Sequence, residues 1–220
     1  MTSLQQSIRV SAPNAVLDAD MVVPRNAPGA VLFAHGSGSS RMSPRNRYVA
    51  SALNNLGIAT VLADLLTADE EQVDTTTGAL RFDIDLLAER VAILTDWLVD
   101  NEPAASRGIA LFGASTGAAA ALVAAARRPE TVRTVVSRGG RPDLAGDSLP
   151  LVHQPTLLIV GGDDTIVIDL NREAMERLAA EEQRLEIVPD ASHLFEEPGA
   201  LEEVARLSGD WILQHLGDGP

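Results

Sequence analysis

A chain of 220 residues with 45% hydrophobic content and no low-complexity tract can bury a sizeable core, and the expectation is one domain over residues 1–220. Its net charge of −14 argues against nucleic acid and anionic membrane as partners, because the phosphate contacts that dominate such binding need a basic face. All 17 basic residues are arginine and cysteine is absent, which excludes a Schiff-base or P-loop lysine, disulfides, thiolate metal sites and a cysteine nucleophile.

Residues 1–13 carry no basic segment followed by an apolar one, and no apolar run is long enough to span a bilayer, so the expected location is the cytoplasm. Short alternation over 7–11 and 15–23 around Pro13-Asn14 predicts an opening hairpin at a sheet edge. The apolar run Ala30-Val31-Leu32-Phe33-Ala34 predicts a strand covered on both faces, ending in His35-Gly36-Ser37-Gly38-Ser39-Ser40-Arg41. A helix is predicted from about Pro44, with Val49, Leu53 and Leu56 on one face and Gly57 as its stop. A strand over 58–63 follows, then a polar acidic loop over 67–78. The helix predicted over 82–101 buries Leu87, Val91, Leu94 and Leu98.

The next stretch, Gly108 to Gly117 running into the alanine-rich 118–126, reads as a strand, a sharp turn and a helix. Gly113 and Gly117 flank Ser115 in the pattern G-x-S-x-G, where small neighbours let strand and helix pack around a serine in a strained conformation. The amide of Thr116 is left at a helix N-terminus, where it can donate to a developing oxyanion. Beyond it come a strand over 132–136, a loop over 137–155 and a strand over 156–160 ending in Gly161-Gly162-Asp163-Asp164. A helix with Leu170, Ala174 and Leu178 inside, a strand over 185–188 ending in Pro189-Asp190-Ala191-Ser192-His193, and a helix carrying Leu201, Val204, Leu207 and Trp211 complete the chain. This alternation predicts an α/β, doubly wound, mostly parallel sheet with helices on both faces. Its strand ends would carry Ser115, the Asp163-Asp164 pair and His193, in the order Ser, Asp, His.

On these residues the chain resembles an α/β-hydrolase, and within that fold the small dienelactone-hydrolase-like group, including the hydrolase portion of phosphoribosyltransferase–hydrolase fusions. The resemblance covers nearly the whole chain and is carried by residues 35–40, the elbow at Ser115, Ser137-Arg138-Gly139-Gly140-Arg141-Pro142-Asp143, residues 161–164, and Ser192-His193-Leu194-Phe195. Dienelactone hydrolases proper use a cysteine where this chain has Ser115, and no phosphoribosyltransferase segment is expected. The resemblance implies a serine hydrolase for small carboxylic esters or lactones, with Ser115 as nucleophile and His193 as base. The family pattern of an aspartate three residues before a valine favours Asp164, with Val167, as the acid, and Asp163 and Asp143 are alternatives. The oxyanion hole would combine the amides of Thr116 and Ser37. Arg41, Arg138 and Arg141 are candidates for receiving a substrate carboxylate, against the alternative of solvated loop arginines.

No cofactor is implied, and scattered histidines without H-E-x-x-H imply no metal. A small ester or lactone is the expected partner, with oligomeric state left open. Two other readings compete. Residues 36–41 with Asp64 after the next strand could form a dinucleotide loop, although its third glycine is missing, and a hydrolase fold can persist as a non-catalytic binding module. With no cap expected and aromatics at 3%, the site should be open and suited to short acyl groups.

Overall fold

In a computed structural model describing residues 3–216, the hairpin forms from β1 (Ser3–Ala12) and β2 (Ala15–Pro24), longer than the alternation alone marks out. Asn14 turns the chain with φ 57°, a conformation its short polar side chain tolerates. The remaining strands are β3 (Ala30–Ala34), β4 (Ala59–Ala63), β5 (Ile109–Ala114), β6 (Val132–Arg138), β7 (Thr156–Gly161) and β8 (Gln183–Val188). Together they make one sheet in the order β1-β2-β4-β3-β5-β6-β7-β8, parallel from β4 to β8, with the hairpin antiparallel at one edge. The doubly wound, mostly parallel α/β sheet predicted from the alternation is the one found.

Each central strand is apolar throughout because both faces are covered, yet its residues still divide by pleat. In β3, Ala30, Leu32 and Ala34 enter one core while Val31 and Phe33 enter the other. The first core packs under α3 (Ile84–Asn101) and α4 (Thr116–Arg127), and the second under α1 (Pro44–Asn55) and α6 (Ala200–Leu216). Phe33 and Phe112 meet in the second core with ring centroids 4.7 Å apart, a contact contributing about 1 kcal/mol beyond its buried area. Helix α4 is buried from Thr116 to Ala125. Its run of alanines presents no side chain long enough to hold it away from the sheet, and that depth anchors the turn preceding it.

Four expectations need correction. Residues 67–78 are a helix, not a loop: α2 (Ala68–Thr77) begins with a reciprocal capping box between Thr67 and Glu70 and ends at Gly78 with φ 64°. It lacks an apolar stripe, and side-chain ion pairs tie it down instead: Glu70 to Arg90 at 2.5 Å and the buried Asp74 to Arg81 at 2.6 Å. Leu56 is exposed beyond the end of α1, and Leu170 is only half-buried in α5 (Thr165–Met175), where Val167, Ile168, Asn171 and Ala174 face inward. The connection predicted as a loop over 137–155 begins later, since Ser137 and Arg138 extend β6, and it contains 3-10 turns over Pro142–Leu151 broken at Gly146.

Candidate active site

The parallel strands end on one side of the sheet, and the candidate residues lie just beyond those ends. After β5 the backbone reverses at Ser115, whose φ of 52° and ψ of −122° are rare for a residue with a side chain. Three backbone hydrogen bonds hold this strain in place: Ser115 N–H donates to Arg138 O at 3.2 Å, and Ser115 O accepts from Ala118 at 3.1 Å and Arg141 at 3.0 Å. The glycines are required by close approach. A Cβ on Gly113 would lie 2.3 Å from Ala118 Cα, and one on Gly117 would lie 2.2 Å from Ala34 O.

His193 follows β8 and presents its Nδ1 to Asp164 Oδ2 at 2.6 Å. A carboxylate accepts there, so Nδ1 carries a proton and Nε2 is the nitrogen turned away from Asp164. Asp164 is the N-cap residue of α5 yet makes no capping hydrogen bond, leaving its carboxylate to the imidazole. Asp163 is exposed, and Asp143 is held in a two-point pair by Arg141, at 2.8 and 2.7 Å. Of the three aspartates proposed for the acid, Asp164 alone contacts the ring.

Ser115 and His193 line one cavity of about 240 Å³, together with Gly36, Ser37, Ser43, Arg45, Asn46 and Arg138. No direct hydrogen bond joins Ser115 to His193 among the described residues; they share the cavity wall. The loop after β3 forms another part of that wall, held from below by His35. The buried His35 Nε2 accepts from Leu65 N–H at 3.0 Å, so its proton sits on Nδ1 and donates to Gly36 O at 3.0 Å. Burial pushes this imidazole below its ordinary pKa.

The two amides expected to form an oxyanion hole are in different states. Thr116 N–H opens α4 at the helix N-terminus, where no intrahelical acceptor exists for it. Ser37 N–H is not open: it donates to Thr116 Oγ1 at 3.0 Å, and the two hydroxyls lie 2.9 Å apart. The elbow pattern marks Thr116 only through its backbone N–H, so the role of its side chain is not legible in the motif.

The arginines also divide. Arg41 is committed to Asp64, through both backbone and guanidinium, and to Asp20 at 3.5 Å, and it lines a separate cavity under the hairpin. The structure places Arg41 away from the Ser115 cavity, contrary to the expectation that it receives a substrate carboxylate there, and Asp64, the acid of the dinucleotide reading, is occupied by it. Arg141 is spent on Asp143. Arg138 faces the Ser115 cavity, where burial, followed by the nearby Arg45 charge, lowers its pKa to about 10. Arg45 and Asn46 escaped notice in the sequence, although a run Ser43-Pro44-Arg45-Asn46 opening a helix beside a strand end was a legible signal.

No helix among the described residues is long and apolar enough to cross a membrane. Two Mycobacterium tuberculosis proteins named as phosphoribosyl transferases are 53% identical over 216 residues, and the chain spans about half their length: 98% of this chain against 48% of theirs. A solved dienelactone hydrolase from Anabaena variabilis is 55% identical, covers 97% of this chain and 98% of its own, and superposes with a TM-score of 0.93. Est1E from Butyrivibrio proteoclasticus shares the fold at a TM-score of 0.79 but only 15% identity, over 96% of this chain and 98% of its own. The dienelactone hydrolase family profile matches residues 17–209, and the chain belongs to that family of α/β-hydrolases.

Proposed function

We propose that the protein is a serine hydrolase that cleaves small carboxylic esters or lactones through an acyl-enzyme on Ser115. The observation that carries this reading is a strained, hydrogen-bonded serine turn sharing one cavity with an imidazole whose Nδ1 is held 2.6 Å from Asp164. Ser115 Oγ attacks the carbonyl carbon while His193 Nε2 takes its proton; the tetrahedral intermediate then expels the alkoxide, which takes that proton back. Water, deprotonated by the same Nε2, clears the acyl group and restores Ser115. Asp164 keeps the ring in the Nδ1–H tautomer and balances the imidazolium. For a lactone, the alkoxide stays attached to the acyl group until hydrolysis releases a hydroxy acid.

The oxyanion is received by Thr116 N–H from the helix end, and by Ser37 N–H once it exchanges Thr116 Oγ1 for the stronger anionic acceptor. The neutral Thr116 hydroxyl thus keeps the Ser37 amide in place between turnovers.

The test is labelling with a fluorophosphonate, followed by hydrolysis of nitrophenyl acetate and a small lactone. Wild type is expected to form a covalent adduct on Ser115 and turn over substrate, with both lost in Ser115→Ala. No labelling, or labelling that persists in Ser115→Ala, would leave a non-catalytic binding module as the better reading.

A further inference from the structure

We propose that a second cavity, meeting the Ser115 cavity at the Ser37 loop, holds the acyl part of the substrate, and that Glu71 in its wall selects acyl chains ending in a primary ammonium. This deepens the serine hydrolase reading and rests on it.

The second cavity measures about 200 Å³, and Gly36, Ser37 and Ser39 line both it and the Ser115 cavity. Chemistry decides which part of an ester enters which. At the tetrahedral carbon the leaving oxygen has to face His193 Nε2 to take its proton, so the alcohol part occupies the cavity that His193 lines. The oxyanion turns to the amides of Ser37 and Thr116. The remaining substituent, the acyl chain, is left the direction of the other cavity, which Ser37 and Thr116 themselves help to wall. At about 30 Å³ per small group, that space takes roughly six or seven heavy atoms.

The lining is apolar at Leu66 and Leu87 and carries an unmet charge at Glu71. Helix α2 pairs or exposes its other carboxylates: Glu70 meets Arg90 at 2.5 Å, Asp74 meets Arg81 at 2.6 Å, and Asp69 is exposed to water. Glu71 is half-buried, and no basic side chain pairs with it among the described residues. Arg41, whose charge it feels, is already held by Asp64 and Asp20. Burial, and after it the Asp64 charge, raises the Glu71 carboxyl above its ordinary pKa. Arg81 also lines the cavity, but Asp74 holds it through Oδ2 at 2.6 Å and its backbone oxygen at 2.8 Å, which neutralises it. One carboxylate is left facing the cavity without a cation, a state that a bound cation relieves.

A primary ammonium answers this wall best. It brings a charge and three donors, and beside the two Glu71 oxygens stands Thr75 Oγ1, whose own proton is spent on Glu71 O at 2.7 Å and whose oxygen is free to accept. A hydroxyl brings no charge, and a quaternary ammonium brings no donor.

Three nitrophenyl esters matched in length test this: 6-aminohexanoate, 6-hydroxyhexanoate and heptanoate, which end in ammonium, hydroxyl and methyl. In kcat/KM the wild type is expected to favour the ammonium over the methyl by about fivefold or more, with the hydroxyl well below the ammonium, and Glu71→Gln to remove that preference. Glu173→Gln, an exposed change of the same charge on α5, is expected to keep the preference, which separates a local carboxylate from the net charge of −14. A wild-type ratio near one, a hydroxyl ester equal to the ammonium ester, or a preference lost equally in Glu173→Gln overturns the subsite.

Calorimetric titration of Ser115→Ala with 6-aminohexanamide and with heptanamide provides a readout free of chemistry, repeated in Ser115→Ala/Glu71→Gln. Tighter binding of the aminohexanamide that is lost without Glu71, in a protein that hydrolyses none of the esters, keeps the ammonium site and overturns the hydrolase reading. Hydrolysis of all three esters with binding indifferent to Glu71 overturns the subsite and leaves the hydrolase reading standing.

Discussion

Asp164 Oδ2 lies 2.6 Å from His193 Nδ1, although the two residues are 29 positions apart and the adjacent Asp163 is exposed. Consecutive residues leaving β7 point in different directions, so only one can meet an imidazole arriving from β8. Asp164→Asn is expected to lower kcat by roughly three to four orders of magnitude, because an amide favours the wrong tautomer and cannot balance the cation. Asp163→Asn and Asp143→Asn are expected to change kcat by less than about threefold, within the usual range for exposed or separately paired carboxylates. Steady-state kinetics on a nitrophenyl ester separate the three, and a larger loss for Asp163→Asn would shift the acid by one residue.

The strain at Ser115 yields a stability prediction that is independent of substrate. With φ at 52° and ψ at −122°, the position suits glycine better than any residue with a Cβ. Ser115→Gly is expected to be more stable than Ser115→Ala by about 1 kcal/mol, with both inactive. Urea denaturation followed by circular dichroism measures the difference. Equal midpoints would mean that the turn stores no strain.

His35 ties folding to pH. Burial holds its imidazole below the ordinary value of 6.5, and Leu65 N–H points at the nitrogen that would have to accept a second proton. The unfolded chain therefore takes up this proton first as pH falls. Stability from neutral His35 is complete above about pH 6.5 and is lost as pH drops through that value toward the depressed folded pKa. Urea midpoints between about pH 7.5 and about pH 5.5 are expected to fall more steeply in wild type than in His35→Gln, whose amide oxygen can accept from Leu65 without titrating. Parallel slopes would remove His35 from the account.

Substrate length follows from the size of the cavity and from what stands over it. The stretch after β6 forms short 3-10 turns broken at Gly146, not an independent helical lid, and the shared cavity measures about 240 Å³. Nitrophenyl butyrate is expected to give a higher kcat/KM than nitrophenyl laurate, by about tenfold or more, with no activation by a lipid interface. The reverse order would require an acyl channel longer than the cavity of about 200 Å³ bounded by Leu66, Arg81 and Leu87.

What could be read from the chain alone was whatever short segments dictate by themselves. The apolar run at 109–112, the glycines at 113 and 117 and the alanines that follow impose strand, turn and helix locally, because no other residues let the two elements approach so closely. The alternation of elements then implied a parallel sheet, and parallel strand ends bring Ser115, Asp164 and His193 to one side of it. Helix α2 lay outside that reach. Its apolar stripe is missing, and its main supports, Arg90 on Glu70 and Arg81 on Asp74, include a partner from a later helix, although the Thr67 and Glu70 spacing was a readable capping box. Charge pairing is the clearest case of what only the tertiary structure decided. Arg41 and Arg138 are both loop-proximal arginines in the sequence, but the end of β4 delivers Asp64 to Arg41, while the neighbours of Arg138 are a second arginine, an asparagine and a phenylalanine. Whether a guanidinium is neutralised or left without a carboxylate depends on which side chains other strands bring within about 4 Å, a distance that sequence separation does not encode.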